Sequence, residues 1–216
     1  MRQSHRQLFH AFLSVLLLTA SAVADSTLTQ SGAIGGDRML VSPGDVFQLG
    51  IFSLANNTKW FLGIWFTVSP DAVIWVANRA RPLNNSSGLV ALSGRGDLVL
   101  LDAASNNETI WSSNSSMGAA AGAVTQLQDD GNLVLADQAG AVLWQSFQHP
   151  TNTFVAGLRT GKDFRTGAEP EWFVSSWRSA DDPSAGDFRN GMDTRGSPEL
   201  CIWMKGRKTY RTGPWC

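Results

Sequence analysis

The stretch QLQDDGNLVLADQAGAVLWQSF, Gln126 to Phe147, admits two readings. Gln128, Asp130, Asn132 and Val134 stand on alternate positions, and in an extended strand alternate side chains share a face. Read so, three polar groups and one apolar group line a single surface suited to hydroxyl-rich molecules. The other reading is a hairpin turn. Asp130-Gly131 supplies the positive φ angles that tight turns need, and Leu133-Val134-Leu135 is the strand returning to the core.

The same pattern stands earlier in the chain. LSGRGDLVLLDAASNNETIWSSN, Leu92 to Asn114, runs in parallel with LQDDGNLVLADQAGAVLWQSF, Leu127 to Phe147. Each has a Leu, a polar turn, Asp or Asn, then Leu-Val-Leu, a second turn and a strand ending in Trp. A looser first copy ends in AVIWVANR. Trp75, Trp111 and Trp144 therefore recur at about 35 residues, the scale of one supersecondary unit. Such a unit cannot bury its apolar face alone. Three can close around a shared centre, with Trp75, Trp111 and Trp144 as the filling. Segments such as DVFQLGIFSL, KWFLGIWFTV, GLVALSG and AVTQLQ are short, rich in branched and aromatic residues, and separated by Gly, Asn, Asp, Ser and Pro. They predict an all-β sandwich, barrel or prism.

The amino end reads as a secretory signal peptide over residues 1–24. It has basic Arg2 and Arg6, an apolar run from about Leu8 to Ala20, and the small-residue site Ala22-Val23-Ala24 before Asp25. Its apolar run is shorter than the ~20 residues a membrane span needs. Without it, 17 basic side chains become 15 against 18 acidic, a net charge of −3. No basic tract points to nucleic acid, and no second long apolar run predicts a membrane span. Sequons at Asn56, Asn84, Asn85, Asn107 and Asn114 agree with export as a glycoprotein. Asn84 and Asn85 are adjacent, so at most one of them is expected to carry glycan. The two cysteines, Cys201 and Cys216, either pair in an oxidising compartment or await partners elsewhere.

With the leader removed, His149 is the sole histidine, which leaves no zinc set and no Ser-His-Asp grouping. His149-Pro150 reads as the turn linking two regions. Arg95-Gly96-Asp97 sits in a repeat turn. No phosphate-binding Gly-rich loop and no catalytic-loop signature occurs, so neither a catalytic residue nor a cofactor is expected.

GDVFQLGIF, FLGIWF, VIWVANRARPL and GNLVL…LWQSF together resemble the bulb-type, mannose-binding lectin domain of plants. The resemblance covers residues 25–147 and implies a type II β-prism, three four-stranded sheets around a threefold pseudo-axis. WQSFQHPTNTFVAGLRTG, SSWRSADDPSAGDFRNGMDTRGSPEL and YRTGPWC are similar to the segment that follows in S-locus glycoproteins and S-domain receptor-like kinases. Residues 148–216 are thus expected to be a β-rich, truncated S-locus glycoprotein-like region. The family's sugar motif is Gln-x-Asp-x-Asn-x-Val-x-Tyr. The resemblance implies that Gln128, Asp130 and Asn132 bond sugar hydroxyls and that Val134 touches ring carbons, while Ala136 replaces the Tyr. The corresponding stretch Ser93 to Leu101 keeps only Val99. Three roles follow as expectations: a recognition module with weak or lost mannose binding, a working mannose-type lectin, or an ectodomain piece of a receptor Ser/Thr kinase. The second region leaves room for a protein or peptide ligand or a partner receptor.

Overall fold

The computed structural model describes residues 25–54, 58–115, 122–165 and 170–214. The expected signal peptide at 1–24, the sequon residue Asn56 and Cys216 lie outside the described residues.

Three very short strands open the described chain: β1 (Thr27–Thr29), β2 (Ala33–Gly35) and β3 (Leu40–Val41). Each joins a different sheet. β3 pairs with β4 (Phe47–Ser53), which continues through β5 (Trp60–Phe66) to β6 (Ser69–Val76). β2 heads a second sheet with β7 (Gly88–Leu92), β8 (Leu98–Asp102) and β9 (Glu108–Ser112). β1 heads a third with β10 (Val124–Leu127), β11 (Leu133–Ala136) and β12 (Val142–Gln145). These are the three four-stranded antiparallel sheets of a β-prism. The opening segment stitches them together, and each of its strands commits one aliphatic residue to the core. Leu28, Ile34 and Leu40 are 2%, 0% and 1% exposed.

The threefold repeat extends to register. Trp75 lies opposite Ile64, Trp111 opposite Leu100 and Trp144 opposite Leu135, and in each case the pairing shifts immediately afterwards. Such a bulge bends and twists its strand, which re-aims the neighbouring side chain. The three indoles meet pairwise, edge to face, at centroid separations of 5.9, 5.9 and 5.7 Å. That geometry sets the positive edge of one ring against the negative face of the next. Trp75 and Trp144 are buried, whereas Trp111 is only half-buried.

A second threefold device satisfies one backbone N–H in each of β5, β8 and β11. The backbone N–H groups of Leu62, Leu98 and Leu133 donate to Asn78 Oδ1, Ser113 Oγ and Ser146 Oγ at 2.9, 3.1 and 2.9 Å. All three acceptors are buried, where an unmet N–H would be costly.

Beyond the prism, β13 (Gly161–Lys162), β14 (Glu171–Ser179), β15 (Asp182–Asp193), β16 (Glu199–Met204) and β17 (Arg207–Arg211) form one five-stranded antiparallel sheet in chain order. It docks on the outer face of the β3–β6 sheet, where Trp177 packs against Phe61, Trp65, Val73 and Val76. Both faces of β5 are therefore covered, and WFLGIWF is apolar almost throughout for that reason. Arg79 clamps the joint, donating to the carbonyls of Pro183 and Ser176 and to Ser175 Oγ at 2.8, 3.3 and 3.2 Å.

Candidate functional site

Gln128 to Asn132 form the turn between β10 and β11. Gly131 N–H donates to the Gln128 carbonyl at 3.0 Å, and Gln128 N–H to the Asn132 carbonyl at 2.9 Å. Gly131 takes φ +87°, and a side chain there would also strike Ile74 Cδ1 at 2.8 Å. The single extended face drawn from Gln128, Asp130, Asn132 and Val134 is thus corrected. Only Val134 lies within a strand, because the backbone folds back at Asp130-Gly131 and β11 begins at Leu133.

Two polar side chains of the motif, Asp130 and Asn132, have a local task. Asp130 is exposed, and its Oδ1 accepts from Asn132 N–H at 2.9 Å, closing the turn. Asn132 is 5% exposed. Its Nδ2 donates to Gln145 Oε1 at 2.8 Å, while its Oδ1 accepts from Ser146 Oγ and Phe147 N–H, both at 3.2 Å. An amide offers two lone pairs and two hydrogens, so one hydrogen is left for anything else. Gln128 is half-buried, Val134 is buried, and Ala136 is half-buried on the strand beyond it. Asp129 ties the turn to the first sheet, its Oδ1 accepting from Gly44 N–H at 2.7 Å.

The second repeat makes the same turn without the polar motif. Ser93 N–H donates to the Asp97 carbonyl at 2.8 Å, Gly96 N–H to the Ser93 carbonyl at 2.9 Å, and Gly96 takes φ +83°. Hairpin geometry alone accounts for a polar, glycine-bearing segment here.

The sequons differ in presentation. Asn84, Asn107 and Asn114 are exposed, whereas Asn85 is half-buried and turned inward. Asn85 Oδ1 accepts from Ser87 N–H at 2.8 Å, and its Nδ2 faces Asp102 Oδ1 at 3.5 Å.

One grouping of ligand-type side chains occurs among the described residues, and sequence reasoning missed it: its members are close in the chain, but only the pairing of β15 with β16 brings their side chains together. Asp193, Glu199 and Cys201 bring their ligand atoms within 4.8 Å of one another, all buried. Lys208 already supplies the cation, with Nζ 2.7 Å from Asp193 and 2.9 Å from Glu199. Hydrogen bonds from Arg195 and then Lys208 hold the Asp193 carboxyl well below the usual range, and Lys208 does the same for Glu199. Burial first, and then the Glu199 charge, push the Cys201 thiol up. The arrangement is an ion-pair cluster that holds β15, β16 and β17 together.

Comparison with known proteins agrees with the geometry. The D-mannose binding lectin family matches residues 72–178. The receptor-like serine/threonine-protein kinase SD1-7 of Arabidopsis thaliana is 38% identical over 211 residues, covering 96% of this chain and 24% of that protein. The S-locus-specific glycoprotein S6 of Brassica oleracea is 39% identical over 210 residues, covering 94% of this chain and 47% of that one. Among solved structures, the mannose-specific agglutinin of snowdrop (Galanthus nivalis) bulbs, complexed with methyl-α-D-mannoside, has a TM-score of 0.41. It is 20% identical and covers 63% of this chain and all of that one. The fold and the family match define a plant bulb-type lectin domain. More particularly, the chain is a homologue of the S-locus glycoproteins and G-type lectin S-receptor-like kinases. It spans about a quarter of the kinase's length and about half of the glycoprotein's. Among the described residues no helix is long and apolar enough to cross a membrane.

Proposed function

We propose that the chain is an extracellular, non-enzymatic recognition module whose mannose binding is weak or lost. Residues 25–147 act as the lectin scaffold and residues 148–216 as the S-locus glycoprotein-like region. The observation that carries this reading is the internal commitment of Asn132, joined to the replacement of the family's Tyr by Ala136. A sugar contacting Gln128, Asp130, Asn132 and Val134 would find only one hydrogen of the Asn132 amide not already engaged by Gln145, Ser146 and Phe147. Each new bond would add only about 1 kcal/mol net. Neither other repeat offers a second intact site, so multivalency within one chain does not compensate.

The surface is then offered to a protein or peptide ligand, or to a partner receptor. In a longer product built like the kinase relatives, kinase activity resides outside these residues. Export is accompanied by N-glycan on exposed sequons, Asn84 being favoured over Asn85 by its accessibility. A glycan array tests the reading with the parent and Asp130→Ala. The expected result is no mannose-type signal, or a faint one lost in the variant. A strong signal that depends on Asp130 would instead make the chain a working lectin.

A further inference from the structure

A cleft of about 540 Å³ opens at the end of the prism where the five-stranded sheet approaches the tryptophan triad. That volume lies within the ~300–1,000 Å³ range of small-ligand pockets. Trp111, Trp144 and His149 line it together with Glu171 and Phe173 of β14. His149 stacks on Trp144 with centroids 5.3 Å apart and planes 13° apart. The Trp75 indole N–H is spent on the His149 carbonyl at 2.9 Å. The indole N–H groups of Trp111 and Trp144 have no hydrogen-bond partner among the described residues. Half-buried Trp111 is the member of the triad left incompletely covered.

Asn114, an exposed sequon asparagine held at φ +46° two residues past the end of β9, also lines this cleft. We propose that the glycan on Asn114 lies back into the cleft, its first N-acetylglucosamine covering Trp111 and bracing the prism against β14. The inference rests on the exported, glycosylated reading above. Transfer from a lipid-linked pyrophosphate donor forms the bond from Asn114 Nδ2 to sugar C1. It breaks the C1–phosphate oxygen bond and releases one amide proton. The carbon-bound hydrogens of a pyranose suit an indole face, and its hydroxyl oxygens accept from indole N–H groups. Covalent attachment at the rim makes the contact intramolecular, at an effective concentration of about millimolar for a short flexible tether.

The exported glycoprotein provides the test, with Asn107 as the internal control, since it is exposed and does not line the cleft. Peptide mass spectrometry reads occupancy at each sequon. Endoglycosidase release is then timed on native and on denatured protein. The glycan on Asn114 should leave the native protein about tenfold more slowly than that on Asn107, and the two rates should match after denaturation. Oxidative footprinting should show Trp111 more reactive in Asn114→Gln and unchanged in Asn107→Gln. Equal native release rates, or an unchanged Trp111, would overturn the inference. An empty Asn114 beside a glycosylated Asn107 overturns it while leaving export intact. Absence of glycan at every sequon overturns the export reading with it.

Discussion

Asn132 spends most of its amide on the fold. Removing it strands the Phe147 N–H, and the Gln145 and Ser146 side chains lose a partner, in a buried setting. An orphaned buried group costs about 1–3 kcal/mol, so Asn132→Ala should lower the melting temperature clearly. Asp130→Ala, at an exposed position with one turn bond, should melt within a few degrees of the parent. Thermal melts followed by circular dichroism check both. Equal losses would mean that Asp130 is as structural as Asn132. The sequence held this residue-scale information only in part. Gly131 after two Asp announced the turn, but Gln145 and Ser146 as partners of Asn132 could not be read from local spacing, because they arrive from the next strand.

Among the elements, β4 to β12 were legible, because each is a run of branched and aromatic residues between turn signals. The recurrence of Trp75, Trp111 and Trp144 marked three repeated units, and the resemblance to the lectin family made each of them a sheet. β1 to β3 were not legible. Two or three residues carry no period, and the one aliphatic residue that each buries looks like any other. The buried caps Asn78, Ser113 and Ser146 also went unseen, since a polar residue shortly after a Trp has no signature of its own. Truncating a buried Trp costs about 3–5 kcal/mol, against a total of ~5–15 kcal/mol for a typical domain. Trp75→Ala and Trp144→Ala should therefore abolish or badly impair folding of the prism, and half-buried Trp111→Ala should also destabilise it, though less. Denaturant melts of purified variants measure this. If two of the three unfold like the parent, the triad does not hold the sheets together.

At the scale of the whole molecule, the five-stranded sheet is bound to the prism through Trp177 and Arg79, and its own stability depends on charge. The sequence showed that strands follow the prism but not where they dock, because Arg79 and Ser175 lie far apart in the chain. Asp193 and Glu199 are held below the usual carboxylate range when folded. Their stabilisation is complete above the unfolded value of about 4 and is lost as pH falls through the folded values. Melting temperature should therefore drop below about pH 4. Lys208→Met should lower it at neutral pH and flatten the acid loss, and an unchanged acid slope in that variant would contradict the assignment. The central claim, a lectin scaffold whose sugar site no longer works well, is most directly tested by calorimetry with mannose on the unaltered chain and on Ala136→Tyr. The account predicts no detectable heat, or a dissociation constant no tighter than about millimolar, near −4 kcal/mol, with tighter binding once the Tyr is restored. Micromolar binding by the unaltered chain would contradict it.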